Sequence, residues 1–197
     1  GKTPANLMFW CDGQWSRGSA TIALDNLHAK KEIPITIAVF VTPGRRDGTV
    51  RADDWSNRNY EYDTVSDEYA RFLHDDLLPI LEKEFVLKDD PEARGLVGGS
   101  SGGICAFKSA FLRPEWFRRV ISSIGSYVNL APGPSGIAGG HNMAAMVRRA
   151  ERKPLRVFLQ DGENDLDNPW GNWPLANRTM ANSLAYRGYD HWFVMGR

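Results

Sequence analysis

The sequence lacks several features that would assign it to a class directly. Its 197 residues include only two cysteines, Cys11 and Cys105, which are too few for a disulfide framework and are not spaced as metal ligands. No apolar run approaches the ~20 residues that cross a bilayer. No charged segment followed by an apolar one opens the chain, as it would in a secretory signal. We therefore expect no membrane span and no metal site, and the compartment (cytoplasm, periplasm or outside the cell) stays open.

An excess of charge of one sign is also absent. Lysine and arginine (24) balance aspartate and glutamate (24), so the chain has no basic field that would hold nucleic acid or an anionic membrane. A ligand of this protein is therefore expected to be a small molecule that is bound by fit. The length predicts a single domain over residues 1–197, and the oligomeric state stays open.

Short apolar runs alternate with longer amphipathic segments. The runs are continuously hydrophobic, which is typical of strands covered on both faces: Leu7–Cys11, Ile35–Val41, Gly95–Gly98, Val120–Ile124, Leu155–Gln160 and His191–Met195. Strands separated by helices predict a mostly parallel α/β sheet with helices on both faces. In such a sheet the working residues lie on loops after the carboxyl ends of the strands.

Three helical segments stand out between these strands. One follows Gly103, and another runs from near Pro174 to a C-terminal cap at Gly188. The clearest begins near Ser66, and Pro79 predicts a kink in it. Its apolar positions repeat at three and four residues and predict one buried face: Tyr69, Phe72, Leu73, Leu77, Ile80, Leu81 and Phe85.

The most specific signal is a G-x-S-x-G motif between an apolar strand and a helix. Glycines two residues on either side of the serine let strand and helix pass closely and allow the serine a strained backbone. The motif fits both Ser100 and Ser101. We favour Ser100 as a nucleophile, because Ser101 then supplies the next backbone N–H to an oxyanion. The alternatives are a tight turn and a phosphate loop, and the latter would need Gly-Lys-Ser/Thr where Gly103-Ile104-Cys105 stands.

The run Gly98–Gly103 and the apolar helix after it resemble the nucleophile elbow of the putative-esterase (esterase D-like) family of α/β-hydrolases. This family includes enterochelin esterases and feruloyl and acetyl-xylan esterases, and the enterochelin-esterase-like branch is the most similar. Three further stretches carry the resemblance: Phe9–Gln14, Tyr69–Leu73 and Val157–Asp165. The resemblance covers nearly all of the chain and implies an α/β-hydrolase fold without a cofactor. It also implies that N-terminal strands and the C-terminal histidine loop and helix are missing, so we expect the segment to be cut at both ends.

The resemblance also implies the remaining catalytic residues. The order serine, acid, histidine favours Asp165 as the acid, with Asp161 and Asp167 as rivals and a turn aspartate as the alternative. The base would be a histidine a few residues beyond Arg197. Of the histidines in the chain, His141 lies in a loop at the catalytic edge, where a substrate contact is a better interpretation than a surrogate base. Three positions are unsuited to the base: His28, His74 and His191.

The second oxyanion donor is expected in the loop after the first strand. By the resemblance it is the backbone N–H of Gly13 or Gln14, and an ordinary Asp-Gly turn is the alternative. Four tryptophans fall in predicted loops at strand ends, where flat rings could stack on a sugar or aryl ester: Trp15, Trp55, Trp170 and Trp173. The segment Arg58–Tyr62 is expected to add polar contacts to the same cleft.

These patterns predict a serine carboxylic-ester hydrolase that acts through an acyl-enzyme on a small ester. A siderophore lactone, a feruloyl ester and an acetylated sugar all fit. An acyltransferase of the same fold and a non-catalytic protein that keeps the fold remain as alternatives. Without the base histidine, the 197-residue chain is expected to be weakly active or inactive by itself.

Overall fold

The computed structural model describes residues 3–44, 55–130 and 139–197, with positions 55 and 56 described by their backbone alone. A six-stranded sheet forms its centre, in the order β2-β1-β3-β4-β5-β8, and each neighbouring pair is parallel. The strands are β1 (Asn6–Cys11), β2 (Thr36–Val41), β3 (Arg94–Gly99), β4 (Arg119–Ser123), β5 (Arg156–Gly162) and β8 (Asp190–Gly196). All six predicted strands are present, with ends that differ by only a residue or two, and the parallel α/β arrangement is confirmed.

Helices fill the connections between these strands. They are α1 (Gly13–Ala29), α2 (Trp55–Asp63), α3 (Glu68–Arg71), α4 (Leu78–Glu84), α5 (Ser101–Leu112), α6 (Met143–Arg149) and α7 (Trp173–Tyr186). Two short strands, β6 (Asp167–Asn168) and β7 (Gly171–Asn172), form a small antiparallel ladder before α7. None of the described helices is both long and apolar enough to cross a membrane.

Helix α5 is the most deeply packed element. Every residue from Ser101 to Phe111 is buried, and the helix lies against β3 and β4. Phe107 stacks on Phe111 and meets Tyr127 edge-on. Burial of each aromatic side chain of this kind contributes roughly 1.5–3 kcal/mol to the free energy of unfolding. The residue that precedes α5, Ser100, is therefore held by the best-packed part of the molecule.

The helix predicted near Ser66 begins at Glu68 but is not a regular α-helix. A π-helical segment, Phe72–Leu77, separates α3 from α4. Pro79 explains it, because proline lacks the N–H for a helical bond and its ring clashes with the carbonyl four residues earlier, and a wider turn relieves both. The predicted single buried face is only partly confirmed. Tyr69 and Leu73 are buried, and Leu77 and Leu81 pack against the core. Phe72, Ile80 and Phe85 are 38%, 53% and 41% exposed, whereas Leu78, which is not on the predicted face, is buried.

The two faces of the sheet are covered unequally in the described part of the chain. Along β4 and β5, buried residues such as Val120 and Val157 alternate with half-buried ones. On the less covered face, Ile121, Phe158 and Trp192 line an open cleft of about 320 Å³. The continuous hydrophobicity of the strand sequences predicts cover on both faces. Within the described residues, this part of the sheet is left uncovered on one face.

Candidate active site

The turn between β3 and α5 has the backbone geometry that the glycine spacing predicts. Ser100 lies in this turn with φ 55° and ψ −125°. Residues that have a Cβ atom rarely adopt this backbone conformation. A Cβ atom at Gly98 would lie 2.2 Å from the carbonyl oxygen of Gly102. A Cβ at Gly103 would lie 2.8 Å from the hydroxyl of Ser122. Strand and helix therefore pass at a distance that only glycine allows.

The two serines of the motif face different environments. The Ser100 side chain is partly exposed, whereas Ser101 is 2% exposed and its hydroxyl is directed at the buried carboxyl group of Asp63. Burial raises the pKa of Asp63 to about 6, and the nearby Ser101 hydroxyl and the charges of Arg58 and Lys108 oppose that rise. Of the two serines that the spacing allows, Ser100 is the one that is not buried.

The hydroxyl of Ser100 contacts a serine that the sequence did not indicate. Ser126 Oγ lies 3.2 Å from Ser100 Oγ, and the Ser126 N–H donates to the Ser100 carbonyl over 3.0 Å. Trp173, which was predicted to stack on substrate, is 2% exposed and donates from Nε1 to Ser126 Oγ over 3.2 Å. The stacking prediction for Trp173 is therefore wrong, because its ring lies inside the fold. Only the position of Ser126 after a strand next to β3 could have indicated it.

The amino ends of α1 and α5 meet at this turn. They follow β1 and β3, which are neighbours in the sheet, and a Cβ at Gly102 would lie 3.0 Å from Cys11 Cβ and 3.1 Å from Asp12 Oδ2. The first N–H groups of a helix have no acceptor within it, and the helix dipole makes this end partly positive. The backbone N–H groups of Gly13, Gln14 and Ser101 therefore belong to two adjoining helix ends suited to hold a negative charge.

A buried ion pair fixes the loop that begins α1. Arg58 donates from Nε to Asp12 Oδ1 over 2.8 Å and from Nη2 to Oδ2 over 2.6 Å. The Asp12 N–H donates to the Tyr62 hydroxyl over 3.1 Å, and Asp12 itself has φ 55°. Arg58 was predicted to line the cleft. It is only 8% exposed, because its guanidinium group pairs with Asp12 underneath the loop.

The acid predicted after β5 lies in a loop with a second carboxyl group. Asp165 Oδ1 accepts the N–H of Leu166 over 2.7 Å, and Asp161 Oδ1 accepts the N–H of Gly162 over 2.7 Å. The Oδ2 atoms of both aspartates are buried without a hydrogen-bond partner in the described structure. Burial and the adjacent Asp165 raise the pKa of Asp161 to about 6. The rival Asp167 lies in β6 and is exposed.

This acid loop lies at the same sheet edge as Ser100, two strands further along. It also adjoins the end of β8, where the Glu163 N–H donates to the Gly196 carbonyl over 2.9 Å. Within the described residues, no hydrogen bond joins Asp165 to Ser100.

Three of the four histidines in the chain are occupied elsewhere. His28 contacts the Pro34 carbonyl, His74 stacks on Trp116 at 4.1 Å, and His191 lies at the amino end of β8 against the Tyr189 carbonyl. Within the parts of the chain that are described, none of them forms a hydrogen bond with Ser100. Those parts also contain no group of three or more His, Cys, Asp or Glu side chains that could hold a metal ion.

Two of the predicted substrate contacts share one groove. His141 and Trp170 line an open groove of about 430 Å³ next to Tyr127 and Leu175, and Trp170 is 59% exposed. Trp15 is equally exposed but lies on α1, with the Arg58 guanidinium group 5.6 Å from its ring centre. The side chain of Trp55 lies outside the described residues.

A parallel sheet whose central strand ends at a glycine-flanked serine of positive φ defines a protein of the α/β-hydrolase type. The model of the Putative esterase family matches residues 1–193, and the chain belongs to this family.

Solved structures with a similar fold include an enterobactin esterase and a siderophore hydrolase. The enterobactin esterase of Shigella flexneri, determined in the presence of enterobactin, aligns with a TM-score of 0.76 at 20% identity, over 99% of this chain and 47% of its own. The siderophore hydrolase EstB of Aspergillus nidulans aligns with a TM-score of 0.67 at 18% identity, over 98% and 77%. A curated protein of Bacillus subtilis, the uncharacterised YbbA, is 21% identical over 147 residues, which are 72% of this chain and 54% of YbbA. The chain thus spans about half the length of YbbA and of the enterobactin esterase.

Proposed function

We propose that this chain carries the nucleophile, the acid and the oxyanion donors of a serine carboxylic-ester hydrolase that acts through an acyl-enzyme. One observation carries the proposal. A strained, solvent-accessible serine, Ser100, lies where the amino ends of α1 and α5 meet. Membership of the esterase family supports ester hydrolysis as the reaction.

In the proposed first step, Ser100 Oγ attacks the ester carbonyl and a general base removes its proton. The carbonyl oxygen becomes an oxyanion, and the backbone N–H groups of Ser101 and of Gly13 or Gln14 stabilise it. The alcohol then leaves with a proton from the base. In the second step water attacks the acyl-enzyme and releases the acid, which regenerates Ser100.

The proposed base is a histidine supplied by residues that follow Arg197. Two observations support this position. The histidines at positions 28, 74 and 191 are occupied in other parts of the fold, and the end of β8 adjoins the loop that contains Asp165. The buried, unpaired Oδ2 of Asp165 is an acceptor that an imidazole N–H would satisfy, which would orient the ring and stabilise its charged form.

The proposed substrate is a small ester held between exposed aromatic rings. Trp170 and His141 line the groove and Trp15 stands on α1, so an aryl or sugar group could stack there. A siderophore lactone, a feruloyl ester and an acetylated sugar are the candidates, and the names of the structural neighbours described above favour the first.

A fluorophosphonate probe tests the proposal on the protein expressed from its complete reading frame. We expect the native protein and Ser101→Ala to be labelled and Ser100→Ala to remain unlabelled, because only Ser100 is placed to attack. A native protein that stays unlabelled would contradict an active nucleophile and favour a non-catalytic role. Product analysis with an ester panel and an added alcohol then separates hydrolysis from acyl transfer.

The position of the base has its own test. A polypeptide that ends at Arg197 should be labelled at least ~10³-fold more slowly than the complete protein, since loss of one triad member removes most of the rate. Equal labelling rates would show that the base lies within residues 1–197.

A further inference from the structure

Ser126 lies directly behind the proposed nucleophile and has no part in the mechanism above. Its hydroxyl is 3.2 Å from Ser100 Oγ and 3.2 Å from Trp173 Nε1. Ser126 is completely buried and Trp173 is 2% exposed, so water does not compete for these bonds.

The donor in each of these bonds can be assigned from the chemistry of the groups. The indole Nε1 of Trp173 can only donate, so Ser126 Oγ accepts from it. The hydroxyl proton of Ser126 then needs an acceptor, because a buried unpaired donor costs about 1–3 kcal/mol. In the described structure, the acceptor within reach is Ser100 Oγ.

The turn that carries Ser126 is held in place from two sides. The Ser126 N–H donates to the Ser100 carbonyl, and Asn177 Nδ2 donates to the carbonyl of Gly125 over 2.9 Å. Asn177 and Trp173 both belong to α7, so one helix fixes the backbone of the turn and the rotation of the Ser126 hydroxyl. The geometry is therefore preorganised before any substrate binds.

We propose that Ser126 is a further catalytic residue of this site, whose hydroxyl donates a hydrogen bond to Ser100 Oγ, and that Trp173 is the residue that positions it. This inference rests on the function proposed above. A donor behind the nucleophile leaves the proton of Ser100 free to point towards the base.

The bond acts in both steps without any transfer of the Ser126 proton. During acylation the base removes the Ser100 proton while the Oγ–carbon bond forms, and the Ser126 donor stabilises the negative charge that develops on Oγ. During deacylation the Oγ–carbon bond breaks and its electron pair returns to Oγ, which regains its proton from the base. The same donor stabilises this leaving oxygen. Hydrogen bonds to charged groups are stronger than those to neutral ones, so the contribution is larger in the transition state than in the resting enzyme.

Three variants of the complete protein test the inference. Ser126→Ala should lower the rate of fluorophosphonate labelling and kcat roughly 10- to 100-fold while KM changes little. Trp173→Phe keeps an aromatic side chain but removes the N–H together with part of the indole ring, and we expect a smaller loss of roughly 3- to 10-fold. Ser122→Ala is the matched control, because Ser122 is equally buried but its hydroxyl bonds to the Tyr127 hydroxyl at 2.9 Å. Its labelling rate should stay within about twofold of native, although its melting temperature should fall as in Ser126→Ala.

The outcomes separate this inference from the proposed function. If Ser100 is labelled in the native protein and Ser126→Ala is labelled at the native rate, the role of Ser126 is refuted and the esterase proposal stands. If Ser122→Ala slows labelling as much as Ser126→Ala, the effect is a general loss of packing and the inference is also refuted. An unlabelled native protein refutes both.

Discussion

Ser100 has a backbone conformation, φ 55° and ψ −125°, that glycine adopts freely and other residues do not. The surrounding contacts impose it, because Gly98 and Gly102 bring strand and helix together around this residue. Strain of this kind costs on the order of 1–3 kcal/mol. The molecule therefore carries a local energetic penalty at the residue that we propose as nucleophile.

Two substitutions at position 100 measure that penalty. Ser100→Ala and Ser100→Gly both remove the hydroxyl, but only glycine also removes the Cβ that makes this conformation unfavourable. We expect Ser100→Gly to be more stable than Ser100→Ala by about 1 kcal/mol after the entropy cost of glycine is included. Urea unfolding of the two variants checks this, and a more stable alanine variant would contradict strain at Ser100.

At the scale of single residues, the sequence identifies interactions between neighbouring residues and misses those between residues far apart in the chain. Glycine spacing narrows the nucleophile to two adjacent serines, but the burial of Ser101 against Asp63 depends on a residue in a different helix. Ser126 lies 26 residues from Ser100, and Arg58 lies 46 residues from Asp12. No local pattern encodes such pairs, so sequence reasoning placed Arg58 in the cleft instead of under the loop.

At the scale of elements, the site depends on how α1, α2 and α5 are held against each other. Arg58 belongs to α2 and its two bonds to Asp12 fix the first turn of α1, where the Gly13 and Gln14 N–H groups lie. A Cβ at Gly13 would lie 2.5 Å from Phe40 Cβ, so β2 closes this loop from the other side. The proposed oxyanion donors at the start of α1 are therefore positioned by two other elements, α2 and β2.

Arg58→Lys tests whether this ion pair positions the loop. Lysine keeps the positive charge but cannot bond both carboxylate oxygens in a plane. We expect the rate of fluorophosphonate labelling to fall roughly tenfold. Loss of an oxyanion donor lowers kcat by about 10²–10³-fold, and a donor that is only displaced should lower the rate less. Circular dichroism should show a folded protein.

The control for this variant is Arg71→Lys. Arg71 also pairs with an aspartate, Asp67, but its side chain is 59% exposed, and such pairs contribute little. Native labelling rates in both variants would show that the loop holds its shape without the bidentate pair.

The elements themselves were largely predictable because their signals are local. Continuous apolar runs located all six sheet strands, and a proline and a glycine marked the ends of α7. The π-helical segment before Pro79 was not predicted, because hydrophobic spacing does not reveal how a helix accommodates a proline. Unequal cover of the sheet was also missed, since an apolar residue has the same sequence signature whether or not a helix lies over it.

At the scale of the whole molecule, the net charge is zero, but several charged side chains are buried near the site. Asp12, Asp63, Arg58 and Lys108 are all buried, and the carboxyl group of Asp63 interacts with the charges of both Arg58 and Lys108. Lys108 Nζ donates to the carbonyls of Glu61 and Thr64 over 2.7 Å and 2.5 Å. Asp63 is completely buried, and its pKa is raised to about 6, chiefly by burial.

This raised pKa predicts a pH dependence of stability. An unfolded aspartate has a pKa near ~3.9, so between about pH 4 and pH 6 the folded state binds more protons at Asp63 than the unfolded state. Its contribution to the free energy of unfolding is fully present below about pH 4 and is lost as the pH rises through about 6. Asp63→Asn has no carboxyl group to ionise, so its stability relative to native should increase by about 1–2 kcal/mol from pH 4 to pH 7.

Urea unfolding of native protein and Asp63→Asn at both pH values measures this difference. Asp25→Asn, which makes the same change at an exposed aspartate on α1, is the control for the substitution itself. A constant difference for Asp63→Asn would show that this carboxyl group ionises alike in the folded and unfolded states.

Trp15 and Trp170 each expose 59% of their surface, whereas Ser100 rests on a helix whose first eleven residues, Ser101 to Phe111, are all buried. Exchanging either ring for another side chain removes little packing, so the fold tolerates substitution at these two positions better than in α5. Under the function proposed above, one or two substitutions at these rings would change the preferred ester while Ser100 and its surroundings stay the same.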